Sequence, residues 1–359
     1  MTPENIAAIR LYSQQIAGTR LTTAKSIVSR MGAMQAQDYT MSKWGVGVRL
    51  PGSTDALIEK ALAKGEILRT HVLRPTWHLV SPDNIGWMRE LSAPQIKTLM
   101  RSNNKKLGLT DAVFSKSNGI IEKALGTGKH LTREELLEPI GKAKIALNEN
   151  RAAHLLIWAE LDGLICSGAM KDKKQTYAAL PERASGSKKI SREEACGKLA
   201  KIYFSSHCPA TLKDFIWWSG LPVADAKVGL EMIKKEFVPE IIEGETYWMH
   251  NGFSLPEKDK DLIHLLPAFD ELIISYKDRR AVIEKIHQKK AFTTNGLFRP
   301  VILVNGQATG LWKRTFQKDK VLIETEFFKP HSKAQKGSIE KAAQSLGKFL
   351  EKKVELKFV

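Results

Sequence analysis

Apolar positions in the first part of the chain recur mostly at helical spacing. "TPENIAAIRLYSQQI" sets Ile6, Ile9 and Ile16 on one stripe, "TTAKSIVSRM" opens with threonine caps, and "STDALIEKALAKG" is a capped helix closed by Gly65. "EILRTHVLRPTWHLVS" shifts period and reads as two short strands, with Pro75 putting the second at an edge or in a hairpin. "PDNIGWMRELSAPQI" starts a helix with Pro82 in its first turn.

The pattern then repeats. "LTREELLEPIGKA" carries a capping box at Thr132 and Glu135, "ENRAAHLLIWAELDGLIC" is a helix stopped by Gly163, and "GAMKDKKQTYAAL" is a polar-tipped hairpin. Further on, "SREEACGKLAKIYFSSH" is capped by Ser191. "ATLKDFIWWSG" and "PVADAKVGLEMIKKEF" have helix-turn-helix spacing, and "EIIEGETYWMH" turns at Glu-Gly as a wing would. After residue 260 the chain becomes strand-rich. Asn305-Gly306 marks a tight hairpin, "KGSIEKAAQSLGKFLEKK" is an amphipathic helix with Ile339, Ala343, Leu346 and Leu350 on one stripe, and "VELKFV" is a last strand. The expected class is α+β: three tandem winged helix-turn-helix modules (1–105, 106–188, 189–255), then a small β-barrel or sheet with a covering helix (256–359).

Charge narrows the partner. The 359 residues carry 56 Lys plus Arg against 39 Asp plus Glu, a net +17, and such an excess favours a polyanion. It is grouped: "KDRRAVIEKIHQKK" (277–290) holds six basic and two acidic residues, and from Lys329 onward eight Lys face three Glu. No segment approaches the ~20 apolar residues of a membrane span. "MTPENIAAIR" lacks the apolar core of a secretion signal. Three spaced cysteines, Cys166, Cys196 and Cys208, suit a reducing cytoplasm, and the nine His show no paired metal-ligand spacing. Neither a metal nor a cofactor is expected.

One stretch resists the helix-and-turn reading. In "RMGAMQAQDYT" a helix ending at Met31 runs into Gln35 and Gln37. On an extended segment both amides project to one face, while Asp38 points to the other. A carboxamide cannot act as a base, but a pair of them can hold a water or read a base edge; exposed glutamines in a loop are the plainer alternative. "RTHVLRPTWH" crowds Arg69, His71, Arg74, Thr76 and His78 into ten residues, suited to gripping phosphate or merely to a solvated strand face. Tyr276, Lys277 and Arg279, with Lys313 and Arg314 after a hairpin, are further backbone contacts, the last two expected to face one groove. Asp270 and Glu271 are adjacent and diverge, so Asp270 reads as a structural anchor. Trp217 and Trp218 read as core.

The order of motifs resembles the winged-helix DNA glycosylases of the AlkZ, azinomycin-resistance type. The resemblance rests on "MQAQD", "LRTHVLRPTWHLVSPD", "LDGLICSG", "YFSSHCPATLKDFIWWSGL", "LLPAFDELIISYKDR" and "FRPVILVNGQATGLWKR", and covers nearly the whole chain. Gln at position 37 fits the Gln-apolar-Gln branch rather than the Gln-apolar-Asp one; Cys208 stands where the pattern has glycine. The resemblance implies a monofunctional glycosylase acting on duplex DNA, and a monomer is expected because three modules and a barrel can enclose DNA without a partner. Such an enzyme would hydrolyse the N-glycosidic bond of N7-alkylguanine-type purines; an open channel would also allow interstrand crosslinks, which the sequence leaves open. Gln35 and Gln37 would be catalytic, and Arg69, His71, Arg74, Thr76, His78, Tyr276, Lys277, Arg279, Lys313 and Arg314 would bind DNA. The competing expectations are a non-catalytic winged-helix regulator and, more remotely, an RNA-binding protein.

Overall fold

In the computed structural model, residues 2–185, 189–251, 262–329 and 333–359 are described; the expected module boundaries at 188 and 255 lie outside them. The chain begins with α1 (Pro3–Ser13), α2 (Ala24–Met31), β1 (Ala33–Gln35), α3 (Tyr39–Gly47), α4 (Asp55–Lys64), β2 (Leu68–His71), β3 (Trp77–Val80) and α5 (Pro82–Lys106). Next come α6 (Asp111–Leu125), β4 (Leu131–Thr132), α7 (Arg133–Lys142), α8 (Glu149–Leu161), β5 (Ile165–Ser167), β6 (Thr176–Ala179) and α9 (Leu180–Arg183). A third set comprises α10 (Arg192–Ser206), β7 (Ala210–Thr211), α11 (Leu212–Ser219), α12 (Val223–Ile233), β8 (Phe237–Ile242) and β9 (Glu245–His250).

The three sets share a topology. Each builds an antiparallel three-stranded sheet in which the last strand sits between the other two: β1-β3-β2, β4-β6-β5 and β7-β9-β8. β3 is therefore a central strand; of the two placements expected from Pro75, the hairpin holds, with β2 pairing antiparallel to β3, and the edge does not. That proline lies ahead of the strand, where its missing N–H costs no ladder bond.

The remainder contains β10 (Ile263–Leu266), α13 (Glu271–Ile274), α14 (Gln288–Ala291), β11 (Val301–Val304), β12 (Gln307–Phe316), β13 (Lys320–Phe327), α15 (Lys333–Leu350) and β14 (Lys353–Phe358). Its five strands form an open sheet in the order β10 to β14. Asn305 and Gly306 both take positive φ (52° and 86°) at the β11–β12 hairpin, as a two-residue turn of this hand requires. β14 pairs parallel to β13 after the α15 crossover.

Local signals explain many helix ends. Thr54 caps α4, which Gly65 closes in the left-handed region; Thr132 and Glu135 form the reciprocal box of α7. Gly32, at φ 80°, ends α2. A Cβ there would lie 2.5 Å from Ile202 Cγ2, so only glycine lets the chain turn from α2 into β1 against α10.

The hydrophobic clusters do not follow the segments. One joins β2, β3 and α5 to α10, α11 and α12. Another packs α2, α3 and α4 against β10, β13 and α15, and a third places α1 on the C-terminal sheet. Only the cluster of residues such as Phe114, Leu136, Leu155 and Ile165 keeps mostly to the second set. The first segment is thus wedged between the third and the fourth, which brings distant polar groups to β1.

Candidate functional site

Gln35 is the last residue of β1 and sits directly across from His78 of β3. Ala36 carries the pairing one step further, its N–H reaching Trp77 O at 2.7 Å. The strand then stops because Asp38 caps α3, accepting from Met41 N at 3.0 Å. The two glutamines are therefore not equivalent. Gln35 is 7% exposed and Gln37 is exposed, with the buried Ala36 between them. One amide is at the floor of the site and the other at its rim.

The Gln35 carboxamide has a fixed orientation. Its Oε1 accepts from Arg74 Nη2 at 3.3 Å and from Thr76 Oγ1 at 3.3 Å. A guanidinium can only donate, so the oxygen must face it and the NH2 is turned away. The loop that supplies both donors is strained: Leu73 takes φ 62° although it is not glycine, and its N–H is held by Ser92 Oγ at 3.0 Å. Gly220, in the turn between α11 and α12, touches the same loop. A Cβ at Gly220 would lie 2.5 Å from Leu73 O and 3.2 Å from Arg74 Cγ, and its φ is 66°. Gly220→Ala is accordingly expected to destabilise by at least about 1 kcal/mol. It is also expected to slow the site's chemistry by moving Arg74; a wild-type melting temperature and rate would contradict this.

Beneath Gln35 lies Glu271 of α13, 1% exposed. Its Oε1 accepts the Gln35 backbone N–H at 2.5 Å. Oε2 accepts from Trp218 Nε1 at 3.2 Å and from Ser275 Oγ. Burial alone would raise this carboxyl, yet it lies at about 2, with His207 facing it and Ser275 and the Gln35 N–H donating to the ionised form. His207 Nε2 is 3.7 Å away. Sequence reasoning missed Glu271, because nothing local ties position 271 to position 35. Its neighbour Asp270 pairs with both guanidinium nitrogens of Arg49 at 2.8 and 2.9 Å.

The other candidates divide. Arg74, Thr76 and His78 do come together at Gln35. His78, however, is fully buried with Nδ1 on Thr76 O at 2.9 Å, which corrects its expected grip on phosphate. Burial and the adjacent Arg74 push His78 down to about 3, so it is neutral, and its Nε2 has no partner among the described residues.

Arg69 and His71 have structural partners instead of DNA-facing positions. Arg69, 6% exposed, donates to Ala36 O at 3.0 Å and to Gln175 at 2.7 Å, and lies 3.9 Å over the Trp77 ring. It props the peptide between the two glutamines. His71 is 3% exposed and bonded to Glu160 at 2.7 Å. Tyr276 is fully buried, its hydroxyl shared between His207 O and Gln14. These burials correct the backbone-contact expectation for all three.

Lys277 is exposed and Arg279 half-buried, both against Trp217, at 4.7 and 5.3 Å from its ring. Trp217 is 36% exposed whereas Trp218 is wholly buried, so only the second belongs to the core as expected. Arg279 Nη2 has no partner among the described residues. Burial, with a lesser push from Arg74, lowers its guanidinium to about 10; the two arginines are neighbours. Lys313 and Arg314 alternate along β12 and so face opposite sides of the sheet, not one groove. Arg314 donates to Thr40 Oγ1 at 2.9 Å, three residues past Gln37, while Lys313 pairs with Glu324 at 3.1 Å.

Arg74 thus reaches Gln35 directly, Arg279 is electrostatically close to Arg74, and Arg314 reaches Thr40, three residues past Gln37. Among the described residues, His78 is neutral and enclosed, Glu271 is engaged by the Gln35 N–H, Trp218 and Ser275, and Asp38 beside Gln37 uses its Oδ1 to cap α3. Such a site can orient a water and favour positive charge, without taking a proton.

Comparison with known proteins gives the family. A Streptomyces sahachiroi protein named an interstrand DNA cross-link repair glycosylase is 24% identical over 347 residues, 90% of each chain. The solved structure of Streptomyces sahachiroi DNA glycosylase AlkZ shares the fold, with a TM-score of 0.82 at 19% identity over 100% of both chains. The model of the AlkZ-like DNA glycosylases matches residues 28–349, and the chain belongs to that family of enzymes.

Proposed function

We propose that this protein hydrolyses the N-glycosidic bond of N7-alkylated purines in duplex DNA, without cutting the strand. The observation that carries the reading is an amide pair in which Arg74 and Thr76 hold Gln35 and Gln37 is exposed beside it. N7 alkylation already places a positive charge on the purine. When the C1′–N9 bond breaks, its electron pair goes to the ring and a neutral base departs without protonation. A water positioned at Gln37 forms the new C1′–O bond and releases its proton to solvent. Gln35 is the fixed partner, its oxygen engaged by Arg74 and Thr76 and its NH2 available to the sugar or the water. The acceptor role then falls to Gln37, whose side chain has no protein partner among the described residues.

The three helix–hairpin sets act as winged-helix modules, and Arg74, Lys277, Arg279 and Arg314 as the phosphate contacts around the site. Their common strand order and the net +17 support this. Lys313 would contribute from the other face of the sheet. The relative named for crosslink repair extends the proposal to purines tethered across the strands. The enzyme would work as a monomer in the cytoplasm; three buried free cysteines fit a reducing compartment, and no described helix is long and apolar enough to cross a membrane. The regulator reading loses its support to the family assignment.

The direct test is an oligonucleotide duplex bearing 7-methylguanine, incubated with enzyme and then cleaved with alkali. Free base and an alkali-labile site above the spontaneous background are expected; intact DNA would refute the reading. Binding should weaken at least tenfold between low and moderate salt, and a flat response would remove phosphate-led docking.

Titration makes a further prediction. The amides do not ionise, and Glu271 at about 2 and His78 at about 3 keep their states throughout the working range. The single-turnover rate should be flat from about pH 6 to about pH 9; a bell-shaped profile would demand an acid or base absent from this account. Stability behaves differently. The His78 imidazole stays neutral in the fold but takes a proton when unfolded, as does His264 at about 4. Stability should therefore fall as pH drops below about 6.5, with loss of the Glu271 contribution added below about 4.5.

A further inference from the structure

β1 is the edge strand of its sheet, and the Ala36 N–H points to β3. One residue earlier, the Gln35 N–H must point away from the sheet, where an edge donor has no ladder partner. Glu271 meets it at 2.5 Å. Glu271 is 236 residues away in sequence and arrives on a short helix whose preceding residue, Asp270, is fixed by Arg49. Its second oxygen is held by Trp218 and Ser275. Gln35 is thus gripped at two points by opposite charges: its backbone by the Glu271 carboxylate and its side-chain oxygen by the Arg74 guanidinium.

We propose that Glu271 is a positioning residue for base excision, fixing the Gln35 backbone so that the carboxamide meets Arg74 and Thr76 in one orientation. This rests on the glycosylase reading above. A carboxylate is required because donors approach both oxygens. Glutamine at 271 would have to turn its NH2 either on the Gln35 N–H or on the Trp218 Nε1–H, and each choice sets donor against donor. The C-terminal segment therefore completes the catalytic strand as well as packing against it.

The experiment compares wild type, Glu271→Gln, Gln35→Ala and the double variant on the 7-methylguanine duplex. Single-turnover rate, DNA affinity and melting temperature are measured for each. Glu271→Gln is expected to slow release about tenfold, with DNA affinity within twofold. In the Gln35→Ala background the same change should have no further effect on rate, because the group it positions is gone. Wild-type speed in Glu271→Gln, or the same tenfold loss persisting without Gln35, would overturn the proposal. Should Glu271→Gln fail to fold, Ser275→Ala removes one donor to the carboxylate and is judged by the same criteria, with a loss of twofold to threefold expected. Failure of the wild type itself to release base would instead refute the glycosylase reading.

Discussion

Replacing Gln37 by Ala is expected to slow release of 7-methylguanine by on the order of 100-fold at saturating enzyme, while DNA affinity stays within about twofold. Gln37 is exposed at the rim, and its side chain has no partner within the described residues, so truncation removes no packing. On the proposed mechanism, what it would remove is an acceptor that aims a water at C1′. The effect belongs to the chemical step, and kcat rather than Kd should change. Gln35→Ala should also lose rate, but through a different cost. It leaves Arg74 and Thr76 without their common acceptor, so some stability should be lost with it. An unchanged rate in Gln37→Ala, or a loss confined to binding, would remove Gln37 from the chemistry.

Asp270→Ala is expected to cost roughly 3–5 kcal/mol of stability, the largest single effect on the fold. Arg49 is fully buried and spends its donors on Gln14, Gly45 O and both oxygens of Asp270. Removing Asp270 would leave a cation enclosed with only neutral acceptors. The same carboxylate accepts the Leu272 N–H at 2.9 Å and starts α13, so its loss would also misplace Glu271. Denaturant unfolding followed by tryptophan fluorescence measures the change. A loss under 1 kcal/mol would show that water reaches Arg49 and that the buried pair is not the anchor described here.

Where the chemistry is local, the sequence disclosed it. Caps such as Thr54 with Gly65 and Thr132 with Glu135 work within one helical turn, and Asn305-Gly306 needs nothing beyond its own backbone freedom. Helix-turn-helix spacing after Phe215 was legible for the same reason. What stayed hidden depends on packing between distant segments. Arg49 and Asp270 lie 221 positions apart, and Arg69 and Gln175 lie 106 apart. Burial was misread where polar residues satisfy one another: Tyr276, His71 and Arg69 look like surface contacts in one dimension and are enclosed in three. Trp217 and Trp218 are consecutive on a helix, about 100° apart around its axis. One turns to the core and the other toward Lys277, a difference that composition does not encode. The glutamine pair was visible as a motif, but its asymmetry was not, since Asp38 ends the strand by capping α3 rather than by pointing to an opposite face.

If the base leaves because it is already cationic, the protein need only guide water to the sugar. Two duplexes of one sequence test it, one with 7-methylguanine and the other with neutral hypoxanthine at the same position, each assayed for free base under single turnover. Release of 7-methylguanine with hypoxanthine left in the strand is the predicted result. Release of both at similar rates would contradict it, because a neutral purine needs a proton that no group at this site is placed to give.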